Sequence, residues 1–232
     1  MNALVVIPTY NERENLPRLI EAVLAYPGVR VLIVDDASPD GTGEMAERLA
    51  GTWPGRIDVV HRTGPRGFGR SLLEGLSRAV TGDAELVFQM DADLSHDPKY
   101  LPEMARAAQD ADLVIGSRYL NGVSVVNWPL RRIILSAFAN RYVRAVTSLT
   151  ARDCTSGFRC WRRTALARVP MNRISSEGYS FLVEMLYLAQ RAGCRIVESP
   201  IIFIERREGV SKMSPKVVME SAITPWRLRM GR

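Results

Sequence analysis

The chain has 232 residues, is 47% hydrophobic and 24% charged, and carries a formal net charge of +6. This composition excludes a disordered or fibrous chain and leaves a globular one long enough to bury a substantial core. The positive balance fits an anionic partner such as nucleic acid, a membrane surface or a phosphorylated substrate, and equally fits plain solubility. An odd count of three cysteines, Cys154, Cys160 and Cys194, argues against a disulfide framework and for a reducing compartment. With only two histidines, His61 and His96, and no ribbon spacing, a structural zinc site is not expected. The N-terminal stretch MNALVVIPTYNE has no basic n-region, so no signal peptide is expected. No apolar run reaches the roughly 18 residues of a membrane-spanning helix.

Short apolar runs alternate with helical patterns through the first half. Residues 4–7, 31–34, 57–60, 86–90 and 113–115 read as strands. Helical patterns follow at 12–25, 42–50, 70–80 and 98–109. Such alternation predicts βαβ units and a mainly parallel sheet, whose strands are buried on both faces and therefore read as unbroken apolar runs. Open sheets of this kind bind ligands beyond the carboxyl ends of their strands. The loops that matter are then PTYNE, DDASPDG, RTGPRGFG, DADLSHD and GSRYLNG.

The second half has a different texture. Residues 130–149 are helical in pattern, with Leu135, Phe138, Tyr142, Val146 and Leu149 on one apolar face and Arg132, Arg141 and Arg144 off it. Such a basic amphipathic helix suits either a membrane surface or the protein's own core. The segment DCTSGFRCWRR reads as a loop, a further helix is predicted at about 178–192, and the apolar run ESPIIFI precedes a basic tail. No linker or internal repeat interrupts the chain, which reads as one domain over residues 1–232.

The acidic loop QMDADLSHDP is the main chemical signal. Two carboxylates one residue apart, Asp91 and Asp93, repel each other unless a cation lies between them. A hard divalent ion such as Mg²⁺ resolves this with one or two protein carboxylates, and completes its shell with phosphate and water. Asp97 before Pro98 has a simpler reading as a helix N-cap followed by N1. Asp35 and Asp36 suit either nucleotide hydroxyls or turn chemistry. Tyr10 offers a stacking face and Glu12 an acceptor, unless Thr9 or Asn11 merely caps the next helix. The stretch RGFGRSLLEG has Leu72 where a dinucleotide fingerprint requires glycine, so that reading is rejected. Arg118, Arg131, Arg132, Arg206, Arg207 and Lys212 read singly as solvated charges, and together as a set able to surround phosphates.

PTYNE, VDDASPDGT, DADLSHDP, GSRY, DCTSGFR and a late R-x-x-G-x-S-K-M occur in order across nearly the whole chain. In this combination the sequence resembles the family 2 glycosyltransferases of the GT-A fold, and within them the polyprenol (dolichol) phosphate mannose synthases. The resemblance implies an α/β fold, Rossmann-like, with a mainly parallel sheet flanked by helices and a basic amphipathic interface helix. It implies a nucleotide-binding half, 1–117, and an acceptor- and membrane-facing half, 118–232. The implied reaction is inverting transfer of mannose from GDP-mannose to polyprenyl phosphate with Mg²⁺ or Mn²⁺. Pro8, Tyr10, Glu12, Asp36, Asp91, Ala92 and Arg206 would line the donor site. Asp91, Asp93 and Ser95 would face the metal, with Ser95 standing where relatives often have Gln. Asp93, Arg118, Arg132 and Lys212 would act on the reacting phosphates.

The resemblance further implies peripheral attachment on the cytoplasmic side of a membrane, alone or through a separate anchoring subunit, with the 130–149 helix, Trp226, Arg227 and Arg229 as contacts. The nearest rival keeps the fold and uses UDP-glucose. A non-catalytic binding protein is disfavoured by the intact acidic loop. A nucleic-acid binder is disfavoured because the positive charge is scattered and no nucleic-acid motif is present.

Overall fold

The computed structural model describes residues 1–204 and 215–231. The alternation of the first half is realised as β1 (Ala3–Thr9), α1 (Leu16–Leu24), β2 (Val29–Asp35), α2 (Thr42–Thr52), β3 (Ile57–His61), α3 (Phe68–Thr81), β4 (Leu86–Gln89), α4 (Leu101–Ala107) and β5 (Leu113–Ser117). There follow β6 (Val125–Val126), α5 (Leu130–Thr147), β7 (Arg159–Arg162), α6 (Arg163–Leu166), α7 (Gly178–Arg191), β8 (Ile196–Pro200), β9 (Phe203–Ile204) and α8 (Pro215–Arg229).

Seven strands form one sheet in the order β3-β2-β1-β4-β7-β5-β8. It is mainly parallel, as the apolar runs predict, and β7 alone runs antiparallel to both its neighbours. Both halves of the chain therefore build the same sheet. Successive residues of a strand point to opposite faces. Val6, Leu32 and Val34 pack with Leu72 and Leu76 of α3 and with Phe181 and Leu186 of α7. Val5, Ile7, Val31 and Ile33 pack with Leu16, Leu19 and Ile20 of α1 and Met104 of α4. The glycines of α3 serve this contact and no nucleotide: a Cβ at Gly75 would lie 2.4 Å from Val6 Cγ1.

The strand β7 corrects the reading of residues 153–163 as loop. Cys160 and Trp161 are fully buried, and Trp161 Nε1 donates to Gln89 Oε1 at 3.2 Å. Arg159 is also wholly buried, donating to the carbonyls of Cys154, Ser156 and Leu182. Burial pushes its pKa down to about 10. Arg162 donates to the carbonyls of Ala108, Gln109 and Ala111. Arginines at both ends of the strand bond the backbone and do not mark solvent.

The helix α5 also departs from expectation. Its C-terminal part enters the core through Val143, Val146 and, just past its end, Leu149. Its N-terminal part does not: Leu130, Ile134, Leu135 and Phe138 are 53–71% exposed. The helix α8 packs beside it, with the Tyr142 hydroxyl donating to the Ala222 carbonyl at 2.7 Å and Arg229 to the Val146 carbonyl at 2.8 Å. Met219, Ile223 and Trp226 recur at helical spacing along α8 and are also exposed, as is Met230 just past its end. Arg227, expected to contact a membrane, instead turns inward to Ser176 and Glu184. Among the described residues no helix is long and apolar enough to cross a membrane.

Candidate active site

The parallel strands β1, β2, β4 and β5 end at one edge of the sheet, and the loop entering antiparallel β7 arrives at the same edge. Pro8 lies near the end of β1, paired with Val34. Beyond it, neither Thr9 nor Asn11 caps α1. The Thr9 hydroxyl donates to Asp35 Oδ1 at 3.1 Å, and Asn11, at φ 60°, donates its N–H to Ser38 Oγ. The Glu12 N–H donates to Thr42 Oγ1, and its carboxylate accepts from Asn15 Nδ2, both at 2.9 Å.

The paired acids after β2 divide their work. Asp35 accepts from Thr9 and from both the N–H and hydroxyl of Ser38, so it serves as turn chemistry. Asp36 pairs with the buried Arg62 guanidinium and accepts the Gly67 N–H at 2.7 Å. It thereby holds the 62–67 loop over the crevice, and each of its oxygens retains a second lone pair for a ligand. Within that loop Arg66 donates to the Tyr10 hydroxyl at 2.6 Å, with its Cζ 5.1 Å from the Tyr10 ring centre. The guanidinium and the ring thus form a cation–π contact.

The acidic loop turns back on itself. Asp97 accepts the Lys99 N–H at 2.9 Å and caps the single turn Pro98–Tyr100, as expected. Ala92 is buried. Ser95, expected among the metal ligands, is buried and donates its hydroxyl to Asp93 Oδ1 at 2.5 Å and its N–H to the same oxygen at 3.1 Å. It therefore orients Asp93. His96 is buried, and its Nδ1 accepts the Asp91 N–H at 3.0 Å. Burial pushes its pKa down to about 4, so the ring is neutral near pH 7. Sequence reasoning missed this residue because a lone histidine beside a helix cap carries no motif.

The site fits a divalent ion. Its donors are oxygens, the side chain of Asp91 is 34% exposed, and Gly157 lacks the Cβ that would lie 3.5 Å from Asp91 Oδ1. Among the described residues no three His, Cys, Asp or Glu side chains converge as a metal site. An ion held there would take the carboxylates of Asp91 and Asp93 from the protein and complete its shell with phosphate and water, as Mg²⁺ prefers.

Just past β5, Arg118 is clamped. Its Nε donates to Asp153 Oδ2 at 2.7 Å and its Nη2 to Asp153 Oδ1 at 2.6 Å, and Asp153 is fully buried. Burial opposes the charge of Asp153, but attraction and bonds from Arg118 outweigh it and hold its carboxyl below the usual range. Arg132, at the start of α5, stacks on Trp128 with its Cζ 4.1 Å from the ring centre. Phe203 joins the two sides, lying edge-on to His96 at 5.7 Å and to Trp128 at 5.5 Å. The structure thus gathers Pro8, Tyr10, Glu12, Asp36, Asp91, Ala92, Asp93, Ser95, Arg118 and Arg132 around one edge. Arg206, Arg207 and Lys212 lie outside the described residues.

This arrangement defines a class. Residues 4–169 match the model of glycosyl transferase family 2, and the chain belongs to that family: it is a glycosyltransferase of the GT-A type. Within the family it is similar to the polyprenol monophosphomannose synthase of Mycolicibacterium smegmatis, 43% identical over 230 residues that span 97% of this chain and 87% of that protein. It is equally similar to the undecaprenyl-phosphate mannosyltransferase of Micrococcus luteus, 43% identical over 98% of this chain and 95% of that one. The fold resembles that of glucosyl-3-phosphoglycerate synthase from Mycobacterium tuberculosis, solved with Mn²⁺, UDP and glucosyl-3-phosphoglycerate. That match has a TM-score of 0.69 at 18% identity, over 99% of this chain and 80% of that one.

Proposed function

We propose that this enzyme transfers mannose from GDP-mannose to the phosphate of a polyprenyl phosphate, with inversion at the anomeric carbon. The observation that carries the reading is the series of ring contacts that runs from His96, beside the acidic turn, through Phe203 and Trp128 to Arg132. At one end lies the Asp91–Asp93 turn, and at the other α5 runs directly into an exposed apolar face. A polar end for a sugar nucleotide and an apolar end for a lipid suit these two substrates, and the two curated relatives support the same pairing.

Tyr10 stacks the base, Pro8, Glu12 and Asp36 line the nucleoside, and Asp91, Ala92 and Asp93 hold the diphosphate end, with Ser95 orienting Asp93. A divalent ion, Mg²⁺ or Mn²⁺, held by Asp91 and Asp93 supplies charge neutralisation for the diphosphate. An acceptor phosphate oxygen bonds to the anomeric carbon as the bond to the GDP oxygen breaks, leaving GDP. The nucleophile is already anionic near neutral pH, so no general base is needed. The work of the site is to bring two anions together. Arg118 and Arg132, with Arg206 and Lys212, serve that purpose by charge stabilisation. The exposed faces of α5 and α8 rest on the cytoplasmic surface of the membrane, alone or beside a separate anchoring subunit.

A donor panel tests the reading. The protein is incubated with polyprenyl phosphate, Mg²⁺ and each labelled sugar nucleotide, and label in lipid is counted. Transfer from GDP-mannose is expected, whereas transfer from UDP-glucose alone overturns the donor assignment.

A further inference from the structure

We infer that His96 is a positioning residue for the Asp91–Asp93 turn, fixing through its ring the backbone from which both carboxylates project. The inference rests on the reading of those carboxylates as the metal- and donor-holding pair. Between them and His96 stands Leu94 at φ 62°, in the left-handed region that side-chain-bearing residues disfavour. Such a conformation persists only where the surroundings over-determine it. Here two closures do so. Ser95 bonds back to Asp93 Oδ1, and the His96 ring swings back across the turn to accept the Asp91 N–H at 3.0 Å.

The ring can act as a fixed post because it is itself held. It stacks on Phe158 at 5.1 Å with an interplanar angle of 17°, and meets the edge of Phe203 at 5.7 Å. Those residues come from separate elements: Phe158 precedes β7 and Phe203 opens β9. Accepting at Nδ1 requires the ring proton on Nε2. The ring does not hydrogen-bond the Asp91 carboxylate, since Nδ1 is 3.9 Å from Oδ2. It holds the backbone of Asp91 through the N–H. Gly157 borders both: a Cβ there would lie 3.4 Å from His96 Cε1 and 3.5 Å from Asp91 Oδ1.

A purely packing role predicts something different, and substitution separates the two. His96→Asn presents an amide oxygen close to where Nδ1 sits but loses the stack. His96→Phe keeps the stack and loses the acceptor, and His96→Gln carries its oxygen too far out, near the place of Nε2. The readout is Mn²⁺ affinity in the presence of GDP, measured by the electron paramagnetic resonance of free Mn²⁺, beside the split of KM for metal from kcat. His96→Phe and His96→Gln are expected to weaken Mn²⁺ binding by about 10-fold or more, the usual effect of losing a group that orients a metal ligand. His96→Asn is expected to stay within about 3-fold of wild type, since it keeps the acceptor.

Wild-type affinity in folded His96→Phe, or weaker binding in His96→Asn than in His96→Gln, overturns the inference. If His96→Phe does not fold, the Asn and Gln pair decides. Asp93→Ala is the control on the reading beneath it. Undiminished Mn²⁺ binding there refutes the metal role of the loop, whereas loss there with retention in His96→Phe refutes His96 alone.

Discussion

The two rims of the crevice are built by opposite rules. On the donor rim, polar groups are bonded within the protein before any ligand arrives. Asp36 is bonded to Arg62 and Gly67, Asp93 accepts from Ser95, and Arg118 lies against Asp153. On the acceptor rim, α5 and α8 leave Leu130, Ile134, Phe138, Met219, Ile223 and Trp226 in water. The first rule gives direction, as charges that must meet a diphosphate in one geometry require. The second gives area without direction, which suits contact with a fluid surface.

The contrast predicts that donor-rim changes act on chemistry or folding in solution, and acceptor-rim changes act only where lipid is present. Asp93→Ala is expected to have the largest effect. It should lower kcat/KM about a thousandfold, roughly 4 kcal/mol, as fits loss of a ligand to the divalent ion that would neutralise the diphosphate. Counting mannose transferred to polyprenyl phosphate checks this, and unchanged turnover would end the metal assignment. Next, Asp153→Ala leaves Arg118 buried without its carboxylate and should destabilise the fold by about 3 kcal/mol. Urea denaturation measures it. The sign of the pH dependence follows from the depressed pKa of Asp153. Its stabilisation is full above the unfolded carboxyl value of about 4 and fades as pH falls through the lower folded value. The variant should therefore lose less stability than wild type on acidification in that range.

Smaller effects sharpen the other side. Ile134→Asp combined with Phe138→Asp should reduce sedimentation with anionic vesicles by about tenfold, since each side chain loses apolar burial in lipid. GDP binding in solution should not change, and a parallel loss of GDP affinity would collapse the distinction between the rims. Smallest, Tyr10→Ala should weaken GDP about tenfold by calorimetry, the loss of one stacking face. Arg66→Ala should weaken it only about threefold, as for an exposed cation–π contact.

How much was legible in sequence follows the same division. The strands β1, β2, β4 and β5 announced themselves because strands buried on both faces are unbroken apolar runs. The Asp91–Asp93 pair raised the expectation of a metal because two carboxylates one residue apart, with no basic residue among them in sequence, are conspicuous. The strand β7 was not legible, because Arg159 and Arg162 bracket Cys160 and Trp161, and a buried arginine bonded to carbonyls has the letter of a surface one. The division of α5 into a buried and an exposed part was hidden for another reason. Helical periodicity identifies an apolar face but cannot distinguish a protein core from a bilayer as the medium that receives it. Arg227 was misread because its inward partner, Glu184, lies on another helix, far away in sequence.

The position of β7 bears on modularity. A strand from residues 118–232 lies between β4 and β5 of residues 1–117 and pairs with both. The two stretches are therefore not cassettes, and the second cannot be exchanged between relatives by cutting at a boundary. A chain ending at Ser117 would leave the facing edges of β4 and β5 without the strand that joins them, and exposed edges of that kind invite pairing with other chains. Variation between relatives is then confined to substitution in the loops and on exposed helix faces, with the sheet inherited whole.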